Sequence, residues 1–153
     1  MEIERKFLVK QLPSLETYAS KSMIQAYVSI EPVIRIRKEN DLFVLTIKSH
    51  GDIMREEHEL NITKEEFESL LKKVEGTIIE KTRYFIPLEN GLTAELDIFS
   101  NQLAPLVTVE VEFASLEDSK RFIPPNWFGE DVSLDYRYKN NNLAKYGLPS
   151  DKQ

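Results

Sequence analysis

With 153 residues, 41% of them hydrophobic and 30% charged, the chain has the length and composition of one folded domain and is too apolar for wholesale disorder. A formal net charge of −6 leaves no global positive field for nucleic acid or an anionic membrane, so any polyanion must meet a local cluster of bases. The absence of cysteine and the presence of only two histidines, His50 and His58, exclude disulfides and thiolate or zinc-type sites.

Strand patterns dominate. Residues 2–9 alternate, with Ile3 and Phe7 set among charges, and residues 13–22 read as a helix. Residues 33–38 alternate cleanly and join 42–48 through Asn40-Asp41 as a hairpin. Gly51-Asp52 marks a turn into a strand near 54–62. Thr63 with Glu66 forms a capping box, Phe67, Leu70, Leu71 and Val74 form an apolar stripe, and Gly76 reads as the helix stop. Strands follow at 77–86, 92–99 and 106–113, the first two joined through Glu89-Asn90-Gly91. Ser115 caps a helix to Phe122 that Pro124-Pro125 breaks, and Trp127-Phe128-Gly129 forms a short aromatic segment. A last helix over 140–146 closes at Gly147. About eight strands with few helices, and no repeat or linker, predict an α+β, mainly β domain over 1–153: a closed antiparallel eight-stranded β-barrel with a few flanking helices.

Residues two apart on a strand share a face, and the charges fall into sets on that basis. Glu2, Glu4 and Lys6 lie together, as do Arg35 with Arg37, Arg55 with Glu57 and Glu59, Lys81 with Arg83, Glu95 with Asp97, and Glu110 with Glu112. Lys48 ends a strand whose other face holds Leu45 and Ile47. A solvated sheet face gains from mixing signs, whereas most of these strands carry one sign each. Like charges side by side are costly unless something of opposite sign lies between them. Basic patches ask for phosphate and acidic patches for a divalent cation, here a carboxylate-bound Mg2+ or Mn2+. Either the apolar faces fill a conventional barrel core with the charges solvated outside, or the charges point inward, which the segregation of signs favours; a barrel so lined must be wet rather than a dry core.

Glu2-Ile3-Glu4-Arg5-Lys6 resembles the Glu-x-Glu-x-Lys signature of the CYTH superfamily, the triphosphate tunnel metalloenzymes, in its short bacterial form. The ordered succession behind it is similar too: Gln25-Ala26-Tyr27, Ile34-Arg35-Ile36-Arg37, Leu45-Thr46-Ile47-Lys48, Arg55-Glu56-Glu57-His58-Glu59, Lys81-Thr82-Arg83-Tyr84, Glu95-Leu96-Asp97, Glu110-Val111-Glu112 and Asp135-Tyr136-Arg137-Tyr138. The chain departs from the pattern at Ala26, Ala94 and Thr108, none of them a charged position.

The resemblance implies metal-dependent hydrolysis of a small-molecule triphosphate inside a charged tunnel. Inorganic tripolyphosphate, split to pyrophosphate and phosphate, is the leading substrate. Arg35, Arg37, Lys48, Arg55, Lys81 and Arg83 are then expected to bind phosphate oxygens, where positioning and charge stabilisation do most of the chemistry. Glu2, Glu4, Glu57, Glu59, Asp97, Glu110 and Glu112 are expected to serve the metal, with Glu2, Glu4 and Lys6 at the catalytic centre. Glu95 is either a further ligand or a partner for a nearby base. A class IV-type adenylate cyclase, a thiamine or nucleoside triphosphatase, and a non-catalytic polyphosphate or nucleotide sensor are the alternatives. Both Glu-x-Glu pairs being intact favours an enzyme.

His50 is expected in a loop, His58 on the face opposite Glu57 and Glu59, and Trp127 and Phe128 as a plug at a barrel end. The charged start is not a signal peptide and no apolar run is long enough to span a membrane. A cytoplasmic monomer or homodimer without nucleic-acid or membrane partners is expected.

Overall fold

The computed structural model describes residues 3–48 and 56–149. Among these residues nine strands form a single antiparallel sheet: β1 (Ile3–Val9), β2 (Ala19–Ser29), β3 (Val33–Glu39), β4 (Leu42–Lys48), β5 (Glu57–Asn61), β6 (Glu75–Pro87), β7 (Thr93–Phe99), β8 (Val107–Phe113) and β9 (Phe128–Asp131). Three helices accompany them: α1 (Lys64–Leu71), α2 (Leu116–Arg121) and α3 (Asn140–Tyr146).

The strands lie in the order β5-β4-β3-β2-β6-β7-β8-β1-β9. This corrects the expected closed eight-stranded barrel: the sheet is open, with β5 and β9 at its two edges. The aromatic segment around Phe128, expected to plug a barrel end, instead forms β9 and occupies the outer side of β1. β1 therefore has partners on both sides, β8 and β9, and among the described residues β5 pairs only with β4. The helix expected over 13–22 is absent. Ala19 already pairs with Phe85, and the register runs on through Lys21–Arg83 and Met23–Lys81.

Two apolar clusters lie on one face of the sheet. One gathers Phe7, Ile86, Leu96, Val109, Val111 and Phe128, with Phe122 beside it. The other joins Ala26 and Ile36 to Phe67 of α1. The capping box holds that helix in place: Thr63 Oγ1 accepts from the Glu66 N–H at 3.0 Å, and the Thr63 N–H donates to Glu66 Oε1 at 2.8 Å. Phe67 is then the residue α1 buries.

A third cluster lies on the opposite face, at one end, where Leu143 and Ala144 of α3 meet Tyr27, Ile79 and Phe99. Gly76 makes this possible. It lies within β6 at φ +70°, not at a helix stop as expected, and a Cβ there would run into the Ala144 carbonyl oxygen. α1 has already ended at Lys72.

Candidate active site

Cross-strand neighbours in an antiparallel sheet share a face. The register therefore gathers the charges onto the face that carries α3. From β1 outward, Glu4 opposes Glu112 and Lys6 opposes Glu110, and Glu110 in turn opposes Glu95. Asp97 opposes Arg83, which opposes Lys21, and Lys81 opposes Met23. Beyond β2, Gln25 opposes Arg37 and Tyr27 opposes Arg35. Arg35 opposes Thr46, which opposes Glu59, and Lys48 opposes Glu57. Glu4, Lys6, Arg35, Arg37, Lys48, Glu57, Glu59, Lys81, Arg83, Asp97, Glu110 and Glu112 thus share one continuous surface. Glu2 and Arg55 lie outside the described residues, as does His50. His58, by alternation, points to the other side, near Glu56 at 3.4 Å.

The face has three regions. On β3–β5 the bases are only partly matched. Arg37 lies 3.3 Å from Glu39 and 3.5 Å from Glu59. Arg35 Nε and the hydroxyl of the fully buried Thr46 are both enclosed without a hydrogen-bond partner among the described residues. Arg37 Nε is a third such atom, and three of them on neighbouring strands stand out because buried polar atoms are normally satisfied. An oxyanion would accept from Arg35 and Thr46.

The centre, on β6 and β7, is saturated. Asp97 is 1% exposed and receives Lys81 Nζ at 2.8 Å and Arg83 Nε at 2.8 Å. Burial works to raise the Asp97 carboxyl, but the Arg83 hydrogen bond and the nearby Lys81 charge outweigh it and hold the group below its ordinary range. Burial also works against the Arg83 charge, and the same contact with Asp97 overcomes it, raising the guanidinium above its usual range.

On β7, β8 and β1 the acids are opposed like to like. Burial raises the Glu95 carboxyl, and the charges of Glu110 and Asp97 push it further, against the pull of Arg83. Lys6 is the base in this region. Its ammonium lies 3.3 Å from Glu110 and donates to the Tyr138 carbonyl at 2.9 Å. The chain leaving β9 crosses here: the Val132 N–H donates to the Lys6 carbonyl at 2.8 Å and the Lys6 N–H to Ser133 Oγ at 2.9 Å. An arginine–carboxylate turn, Asp135 with Arg137, leads on to Tyr138 and α3.

Two opposed carboxylate pairs suit a hard cation, since a divalent ion offsets the repulsion between like charges. Among the described residues, however, no group of three acids is drawn together at ligating distance. Glu59 on the far region is already paired with Arg37 and Asp97 with two bases. Lys21, Thr46 and the Tyr138 carbonyl were not anticipated. The helical reading of 13–22 concealed Lys21, and nothing in a sequence marks a backbone carbonyl. A cavity of about 850 Å³ beside Tyr18, Phe122 and Trp127 includes none of the predicted site residues in its lining. No helix among the described residues is long and apolar enough to cross a membrane.

Among the described residues, a sheet face with partly matched bases on one side and opposed carboxylates on the other suits a protein that handles a small polyanion. Known proteins agree. An inorganic triphosphatase of Nitrosomonas europaea is 45% identical over 148 residues, covering 94% of this chain and 96% of its own. One from Acetivibrio thermocellus is 36% identical over 152 residues, covering 94% and 93%. The crystal structure of an inorganic triphosphatase matches with a TM-score of 0.83 at 41% identity over 94% of each chain. An adenylyl cyclase-like protein from Hippeastrum shares the fold alone, at TM-score 0.52 and 19% identity over 78% of this chain and 83% of that one. No sequence-family model matches the chain. The chain belongs to the inorganic triphosphatase family.

Proposed function

We propose that the chain hydrolyses inorganic tripolyphosphate to pyrophosphate and phosphate on the charged face of its sheet. It is a hydrolase acting on phosphoric anhydrides: water adds to the terminal phosphorus, the bond to the bridging oxygen breaks, and pyrophosphate leaves. The observation that carries this reading is the cross-strand pair Arg35 and Thr46, whose buried Nε and Oγ1 have no hydrogen-bond partner among the described residues, on the same face of the sheet as Arg37 and the acids.

Arg35, Arg37, Lys48, Lys81 and Arg83 bind the phosphate chain, with Arg55 expected to join them. Fixed cations stabilise the charge that spreads over the phosphoryl oxygens in the transition state. Glu4, Glu110 and Glu112, with Glu2, would hold Mg2+ or Mn2+, and Glu57 and Glu59 are more distant candidates. An ion held there would supply charge neutralisation at the phosphate oxygens. Lys6, anchored by Glu110 and the Tyr138 carbonyl, positions the reacting end of the substrate against these acids.

Phosphate release from tripolyphosphate, ATP and thiamine triphosphate tests the proposal, with Mg2+, with Mn2+ and with EDTA, alongside Glu4→Gln. Metal-dependent turnover of tripolyphosphate, abolished in Glu4→Gln, is expected. Cyclic AMP formed from ATP would make the chain a cyclase instead. Tight tripolyphosphate binding without turnover of any substrate would make it a sensor.

A further inference from the structure

Asp97 was expected among the metal ligands. We infer instead that Asp97 is a positioning residue for the substrate: it fixes Lys81 and Arg83 as a preorganised phosphate clamp. The inference rests on the proposed phosphate-binding role of those two bases.

The geometry is specific. Arg83 presents one edge to Asp97, with Nε 2.8 Å from Oδ1 and Nη2 2.9 Å from Oδ2. Its remaining nitrogen, Nη1, lies 3.5 Å from Glu95. Lys81 Nζ reaches Oδ2 at 2.8 Å and lies 5.2 Å from the centre of the Phe99 ring. Both carboxylate oxygens thus accept charge-assisted hydrogen bonds, the short and strong kind. A metal ion on Asp97 would have to displace a base and then sit between two positive charges.

The alternation of β6 explains why the carboxylate is needed. Lys81 and Arg83 are two apart and share a face, so they repel one another. Lys81 is 5% exposed and has little access to water that could screen it. Asp97 lies directly across from Arg83 and supplies the opposite charge to both. Two cations against one carboxylate leave the trio net positive, with Arg83 donors still uncommitted. A phosphate therefore meets cations that are already oriented, and little ordering is required when it binds.

Asp97→Asn separates the roles, because simple electrostatics and positioning predict opposite signs. Removing a negative charge from a phosphate site should tighten binding if Asp97 only neutralises its neighbours. If it positions them, tripolyphosphate binding measured by calorimetry in EDTA weakens about tenfold or more. At saturating Mg2+ the KM for tripolyphosphate then rises to match, while the Mg2+ concentration for half activation stays within about twofold. Unchanged or tightened metal-free binding, or a large rise in half-activating Mg2+, overturns the inference.

A measurement on the parent chain guards against a variant that fails to fold. The Arg83 Nε–H, buried against Asp97, gives a resolved, slowly exchanging NMR signal before any ligand is added. A rapidly exchanging signal overturns the clamp. If the parent chain neither binds nor hydrolyses tripolyphosphate, the proposed function itself fails. If it does both and Asp97→Asn binds tripolyphosphate as the parent does, only the role of Asp97 is lost.

Discussion

Glu95 is held above the ordinary carboxylate range first by burial and then by Glu110 and Asp97. A group raised in this way penalises the folded state once it ionises, above its folded pKa, and the penalty vanishes below the unfolded value near 4.5. Glu95→Gln should therefore raise the melting temperature of the metal-free protein at pH 7–8 and lose the advantage near pH 4, as thermal unfolding across that range will show. Arg35 makes a complementary case. Its Nε, buried without a hydrogen-bond partner among the described residues, costs stability in the free protein; if it binds phosphate as proposed, Arg35→Gln should raise the KM for tripolyphosphate about ten- to hundredfold without lowering the melting temperature. Alternation alone placed both residues on the same face. What it could not reveal is who pairs with whom, because pairing is set by the register between strands distant in sequence. Asp97 looked like any other acid until β6 was laid beside β7.

The elements show the same division. Local signals with a complete mechanism were readable: the Thr63–Glu66 box and the Ser115 cap are both formed, and α3 ends at Gly147. Removing the first should be measurable. Thr63→Ala should cost about 1 kcal/mol in urea unfolding, with little effect on turnover, since α1 packs on the apolar side. β2 was harder, because its apolar face carries Ser20 and Ser22, and its charged-face positions include Met23 and Tyr27. Such a strand has no clean alternation, and pairing with β3 and β6 decides its structure. Gly76 was misread for a similar reason: its left-handed backbone serves a contact with α3 on a later part of the chain. Gly76→Ala should combine strain at positive φ with a clash against Ala144, costing roughly 1–3 kcal/mol and loosening α3, measurable as faster amide exchange over 140–146.

For the whole molecule, alternation identifies two faces of each strand but says nothing about whether the outermost strands meet. That is why an open sheet was mistaken for a barrel. The openness leaves edges to be protected, and β5 is exposed along its whole length. Glu57 and Glu59 place charge on that edge, a common defence against pairing with another sheet. Replacing both with threonine should increase concentration-dependent self-association over the parent chain in sedimentation velocity. The overall charge of −6 also means that attraction for a polyanion is local and opposed at long range. Tripolyphosphate KM should climb as ionic strength rises from about 0.05 to 0.5 M, because the exposed part of the cationic face is screened over that range. The join between Lys6 and the crossing segment has a consequence for biosynthesis. The Lys6 ammonium is held by a carbonyl 132 residues downstream, at Tyr138. During synthesis β1 is made before β8, β9 and the segment at Tyr138 that hold it, so it waits for partners distant in sequence. Seating of the Lys6 ammonium therefore waits until Tyr138 has been made, so the order of synthesis and the order of assembly of this corner of the sheet are opposed.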